Sequence, residues 1–119
     1  MKEASTNNLN RQAILVKCPV TFTLEKIGGR WKPIILWQLK DGRMRYSEIR
    51  RGIPPISEKM LIQQLKELET DGLVIREAKP VVPPYVEYSL SADGQAIRKV
   101  LEAMADWGLR MQEKENSAA

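Results

Sequence analysis

Apolar residues along this chain keep a helical spacing in some stretches and alternate in others, with glycine and proline at the breaks. Pro19 opens a predicted helix that carries Phe22, Leu24 and Ile27 and is ended by Gly28 and Gly29. WKPIILWQL predicts a second helix, with Pro33 near its start and enough bulky apolar side chains to be buried on most sides. KDGR reads as a turn, Met44–Arg45 as a brief extended piece, and YSEIRR as a short helix with Ser47 or Tyr46 as its N-cap. GIPPI breaks the chain, because neither proline fits a helix interior and each biases its predecessor away from helical angles. Ser57 then caps a helix over Glu58–Asp71, which Gly72 stops. LVIRE and YVEYSL follow as strands. In the second, Val86, Tyr88 and Leu90 alternate with Glu87 and Ser89. AKPVVPP joins them, longer and stiffer than a tight turn, and Ser91 caps a last helix from Ala92 to about Gln112.

This order predicts one α+β domain over residues 13–112, with flexible tails at 1–12 and 113–119 and no internal repeat. A content of 43% apolar residues, with three tryptophans, excludes a disordered chain. In the helix after Ser57, Leu61, Leu65 and Leu68 share one side, and Lys59, Gln63, Lys66 and Thr70 the other. Two helices across a tight break, followed by a hairpin, match a winged helix-turn-helix, whose second helix enters the DNA major groove. Ser57, Lys59, Gln63 and Lys66 are therefore the candidate recognition residues. An ordinary solvated face would show the same residues.

Charge placement adds to the pattern. The chain carries +4 overall, but Lys26–Arg51 holds eight basic residues against Asp41 and Glu48, a local net of +6. Arg43, Arg45, Arg50 and Arg51 flank the helix before the recognition helix, where phosphate contacts belong. Arg76 and Lys79 fall on or near the hairpin tip, where Pro80, Pro83 and Pro84 limit its freedom. In the last helix, Ile97, Val100, Met104, Trp107 and Met111 are spaced 3, 4, 3, 4, broadened by Leu101 and Ala105. That seam serves either the domain's own core or a homodimer interface, and a dimer would read two half-sites of a pseudo-palindromic operator.

The chemistry available is narrow. The absence of histidine removes histidine metal sites and the usual general base of a hydrolase. No cofactor, metal or catalytic residue is expected, and an enzyme is left only a thiol chemistry with no visible base. One cysteine precludes an intramolecular disulfide and suits a reducing cytoplasm. Ala13–Val16, closed by Lys17, is too short for a signal sequence, and no stretch is long enough to span a membrane. Cys18 precedes Pro19 at a helix N-terminus beside Lys17. It is either a small buried hydrophobe or a thiol whose pKa that terminus lowers.

CPVTFTLEKIGGRWKPIILWQL, RYSEIRRGIPPISEKMLIQQLKELETDGLV and PPYVEYSLSADG together resemble the HxlR-type winged-helix transcriptional regulators, which are related to the MarR group. The likeness runs from Cys18 to about Trp107. It implies a dimeric DNA-binding repressor or activator of adjacent genes, with Ser57–Asp71 reading the major groove and Leu73–Leu90 as the wing. It also implies that the terminal helices form the dimer, and that Cys18 stands where several members sense aldehydes, quinones or oxidants. Two residues depart from the family pattern: Ile62, where members often carry a small polar residue, and Glu58, a negative charge in the first turn. The alternative to a regulator is a winged-helix module that binds another protein through its wing or last helix.

Overall fold

The computed structural model describes residues 18–118, so the expected tail at 1–12 and the domain start at 13 lie outside the described residues. Helix α1 (Pro19–Ile27) begins on a proline, whose missing N–H has no partner to lose in a first turn. It closes where Gly28 N–H donates to the Leu24 carbonyl at 2.7 Å, and Gly29 takes φ 88°, a value glycine adopts without steric cost. Helix α2 (Lys32–Gln38) continues into a 3₁₀ turn at Leu39–Asp41. Strand β1 (Met44–Arg45) leads into α3 (Tyr46–Gly52), and α4 (Glu58–Thr70) follows the proline break. Strands β2 (Val74–Lys79) and β3 (Tyr85–Leu90) form the hairpin before α5 (Ala92–Ala118).

Of the boundaries that differ from expectation, four have a clear physical cause. The N-cap of α3 is Arg45, not Ser47 or Tyr46, because the Glu48 carboxylate accepts the Arg45 N–H at 2.8 Å and closes the helix start one residue earlier. Helix α4 ends at Thr70, with Asp71 as its C-cap and Gly72 at φ 75° making the left-handed stop. Strand β2 runs past Glu77 to Lys79, because Ala78 and Lys79 find ladder partners in Val86 and Tyr85. Helix α5 continues from the expected end near Gln112 through residues 113–118, since the sequence there holds neither glycine nor proline to stop it.

The brief strand β1 pairs antiparallel with β3, making a three-stranded sheet of order β1-β3-β2. One sheet face places Val74, Tyr88 and Leu90 into the core with Ile35, Leu36 and Leu39 of the second helix and its turn, Ile49 of α3, and Leu61, Leu65 and Leu68 of α4. The three leucines of α4 are 0–1% exposed, so the recognition-type helix is anchored along one side only. Gly94 lets α5 pack tightly, since a β-carbon there would run into the Leu73 carbonyl. Ser91 fastens the same corner, its hydroxyl donating to the Gly72 carbonyl at 2.6 Å and accepting Gly94 N–H at 3.0 Å. The last buried residue of α5 is Leu101. Beyond it, Met104 and Ala105 still line a groove with Pro33, Ile34 and Trp37 of the second helix, and residues 112–117 are exposed.

Candidate nucleic-acid interface

Helices α3 and α4 are held at a fixed angle by Ile49, Ile53, Ile56 and Leu61, all 0–3% exposed, across the proline break. Ser57 accepts the Met60 N–H at 3.1 Å, so its hydroxyl serves first as the N-cap of α4. With the leucines committed inward, Lys59, Gln63, Lys66 and Thr70 all stand exposed on the outer face. None of these lysines forms an ion pair among the described residues.

Two grooves beside that face hold the arginines and the edge of α4. One, of about 620 Å³, is lined by Tyr46, Ser47, Arg50, Arg51, Pro54 and Ile56. The other, of about 410 Å³, runs between α4 and the sheet, lined by Arg45, Glu58, Ile62, Tyr85, Val86 and Tyr88 together with Tyr46 and Ser47. Tyr46 and Ser47 belong to both, so Arg45, Arg50, Arg51 and the first turns of α4 form one continuous surface. The Arg45 guanidinium stacks on the Tyr85 ring at 3.8 Å from its centroid, which orients it without neutralising it. The Tyr46 hydroxyl is buried with no hydrogen-bond partner, and burial, then the Glu58 carboxylate, pushes its pKa up.

The wing differs from its sequence reading. Arg76 is not at the tip. It pairs with Tyr88 in the middle of the hairpin, on the face that adjoins the second groove. Lys79 is at the base of the tip, but its ammonium donates to Glu77 at 2.8 Å and lies 3.5 Å from Glu87. The Glu77 hydrogen bond holds the Lys79 pKa above its usual value, and Lys79 in turn holds Glu77 below the carboxylate range. Arg43 approaches the same Glu77 at 3.9 Å. The tip itself is apolar, with Val81 and Val82 exposed between prolines.

Among the described residues, Arg45, Arg50, Arg51, Lys59, Lys66 and Arg76 therefore lack a carboxylate partner. Lys26, Lys32 and Lys40, away from the first turns of α4, pair with Asp71, Glu67 and Asp41. Gln63, Lys66 and Thr70 line a groove with Lys32, Glu25, Glu67 and Asp71, so the C-terminal half of the outer face is of mixed charge and the arginines adjoin the N-terminal half.

The residues of the last-helix seam separate into two groups. Leu101 is 4% exposed in the domain's own core, and Ile97 packs against that core. Val100, Met104 and Trp107 face solvent, while Met111 is half-buried. Leu109 is also exposed, but on the opposite side of the helix, off the heptad spacing. Helix α1 also exposes apolar side chains, Val20 and Leu24 on one side and Phe22 on the other, with Ile27 alone buried. Cys18 is the N-cap residue of α1 and partly exposed. Its thiol pKa lies below the usual value, chiefly through the backbone N–H groups of Thr21 and Val20, then the Thr21 hydroxyl. Neither a cluster of metal-ligating side chains nor a helix long and apolar enough to cross a membrane occurs among the described residues.

Residues 26–116 match the HxlR-like helix-turn-helix family. The helix-turn-helix-type transcriptional regulator YybR of Bacillus subtilis is 48% identical over 91 residues, 76% of this chain and 73% of that protein. A solved structure of the redox regulator HypR in its reduced form superposes with a TM-score of 0.79 at 44% identity, over 84% of this chain and 99% of HypR. The reduced form of the transcriptional regulator YodB from B. subtilis gives a TM-score of 0.68 at 40% identity, over 76% of this chain and 89% of YodB.

Proposed function

Because the chain belongs to the HxlR-like helix-turn-helix family of transcriptional regulators, we propose that it acts as a cytoplasmic homodimer that lays α4 of each protomer into successive major grooves of a pseudo-palindromic operator and controls adjacent genes. Lys59, Gln63 and Lys66 face the groove, while Arg45, Arg50, Arg51 and Arg76 hold the phosphates that set its register. The observation that carries this reading is the unneutralised cationic surface around α3 and the start of α4. Six like charges left without carboxylates repel one another, and a polyanion relieves that repulsion. Its test is the salt dependence of binding to a duplex enriched by the purified protein. Neutralising about six to ten phosphates per dimer lowers affinity by about 10³–10⁵ between 50 and 200 mM salt. Affinity that stays level across that range would remove the proposal.

The second protomer covers the exposed seam of α5 and exposed apolar residues of α1. An exposed seam of Val100, Met104 and Trp107 along one side of α5 supports this, because contiguous exposed apolar side chains mark a surface that a partner covers. Cys18 is the sensor of an electrophile or oxidant. The likeness to the redox regulator HypR and the lowered thiol pKa support that role. Diamide should release operator from the wild type and leave the Cys18→Ser complex intact. Equal release from both would exclude a cysteine switch.

A further inference from the structure

We infer that Ile62 reads thymine methyl groups in the operator, an inference that rests on the DNA-binding reading above. Leu61, Leu65 and Leu68 of α4 enter the core and Met60 packs against it, whereas Ile62 does neither and is 52% exposed. It lies one turn beyond Glu58, one turn before Lys66 and next to Gln63, on the flank of the outer face turned towards the sheet. There it shares its groove with Val86, Tyr85 and Tyr88, so an apolar wall, not an isolated side chain, faces outward between the helix and the wing.

The major-groove edges of the bases offer donors, acceptors and one apolar group, the C5-methyl of thymine. That methyl projects near its own strand's backbone, where the flank of a docked helix meets the groove wall. A side chain at the centre of the face, such as Gln63, reaches the inner base edges instead. Arg45 and Ser47, on the rim of the same groove, are placed for the phosphates of the strand whose methyl Ile62 covers. An isoleucine there has no favourable interaction with phosphate or a polar base edge, so thymine is the base whose chemistry matches it.

The test replaces each thymine of the selected duplex in turn by deoxyuridine, which removes that methyl alone. At one position per half-site, the wild type should bind about fourfold more weakly after replacement, as expected for one methyl lost from an apolar contact. Ile62→Ala should bind the thymine and deoxyuridine duplexes equally, and Ile62→Val should retain part of the difference. An NOE between the Ile62 side-chain methyls and a thymine methyl in the wild-type complex gives a readout independent of any variant. The inference is overturned, with DNA binding intact, if no position discriminates, if Ile62→Ala keeps the full difference, or if that NOE is absent. If the protein enriches no duplex at all, the DNA-binding reading falls and takes this inference with it.

Discussion

Two carboxylates hold the wing-side cations: Glu77 pairs with both Arg43 and Lys79, and Glu87 with Lys79 as well. Glu77 binds Lys79 at 2.8 Å and approaches Arg43 at 3.9 Å, so both are held back from a phosphate. Glu77→Gln leaves Lys79 its pair with Glu87 and is expected to free Arg43, steepening the slope of log affinity against log salt by about 0.9 if Arg43 then neutralises one further phosphate. Anisotropy titrations with the selected duplex over 50–200 mM salt measure that slope. At Cys18 the sign runs the other way. First-turn N–H groups and the Thr21 hydroxyl favour the thiolate, so the folded thiol reacts at lower pH than an ordinary cysteine. Thr21→Val removes one of those donors, the pKa rises, and the pH of half-maximal alkylation by iodoacetamide should move upward. Lys79 was legible in the sequence as a cation but not as a paired one. Glu77 is its neighbour but one along the strand, and Glu87 reaches it only through the cross-strand ladder.

Helix and strand boundaries were legible wherever a residue type dictates its own backbone. Pro19, the GIPPI break, Ser57 and Gly72 stand where the sequence placed them, because proline, a capping hydroxyl and a left-handed glycine act locally. Ser57→Ala should lower stability by about 1 kcal/mol, the usual worth of an N-cap hydrogen bond, and denaturant unfolding measures it. The start of α3 and the end of β2 escaped local reasoning. Glu48 supplies from inside the helix what a capping residue supplies from outside, and Ala78 and Lys79 are strand residues only because Val86 and Tyr85 face them. Gly94 carries no turn signal, yet α5 packs there against the Leu73 carbonyl in the link between α4 and β2. Gly94→Ala should cost about 1–3 kcal/mol through overpacking, read as a lower denaturation midpoint at unchanged slope.

The whole molecule is a small winged-helix body with one helix reaching well beyond it. Past Leu101, α5 has no buried residue, and Val100, Met104 and Trp107 form an exposed apolar seam along one side of it. Trp107→Glu should leave the circular dichroism of the fold unchanged, because the indole is 60% exposed. Sedimentation should then show a monomer. Binding to a two-half-site duplex should fall by about 10²-fold or more, since the second half-site is no longer tethered to the first. A dimer that persists in this variant would place the interface elsewhere.

The sequence by itself determined the order of elements, the proline and glycine breaks, the leucine side of α4 and the excess of positive charge before it. Each follows from backbone preference or helical period, which act over a few residues. Tertiary structure alone decided which cations keep their charge unpaired, that Leu101 belongs to the core while Trp107 does not, and that Ile62 meets Val86 and Tyr85 across a groove. Those outcomes depend on distances between residues far apart in the chain, and a one-dimensional pattern does not contain them.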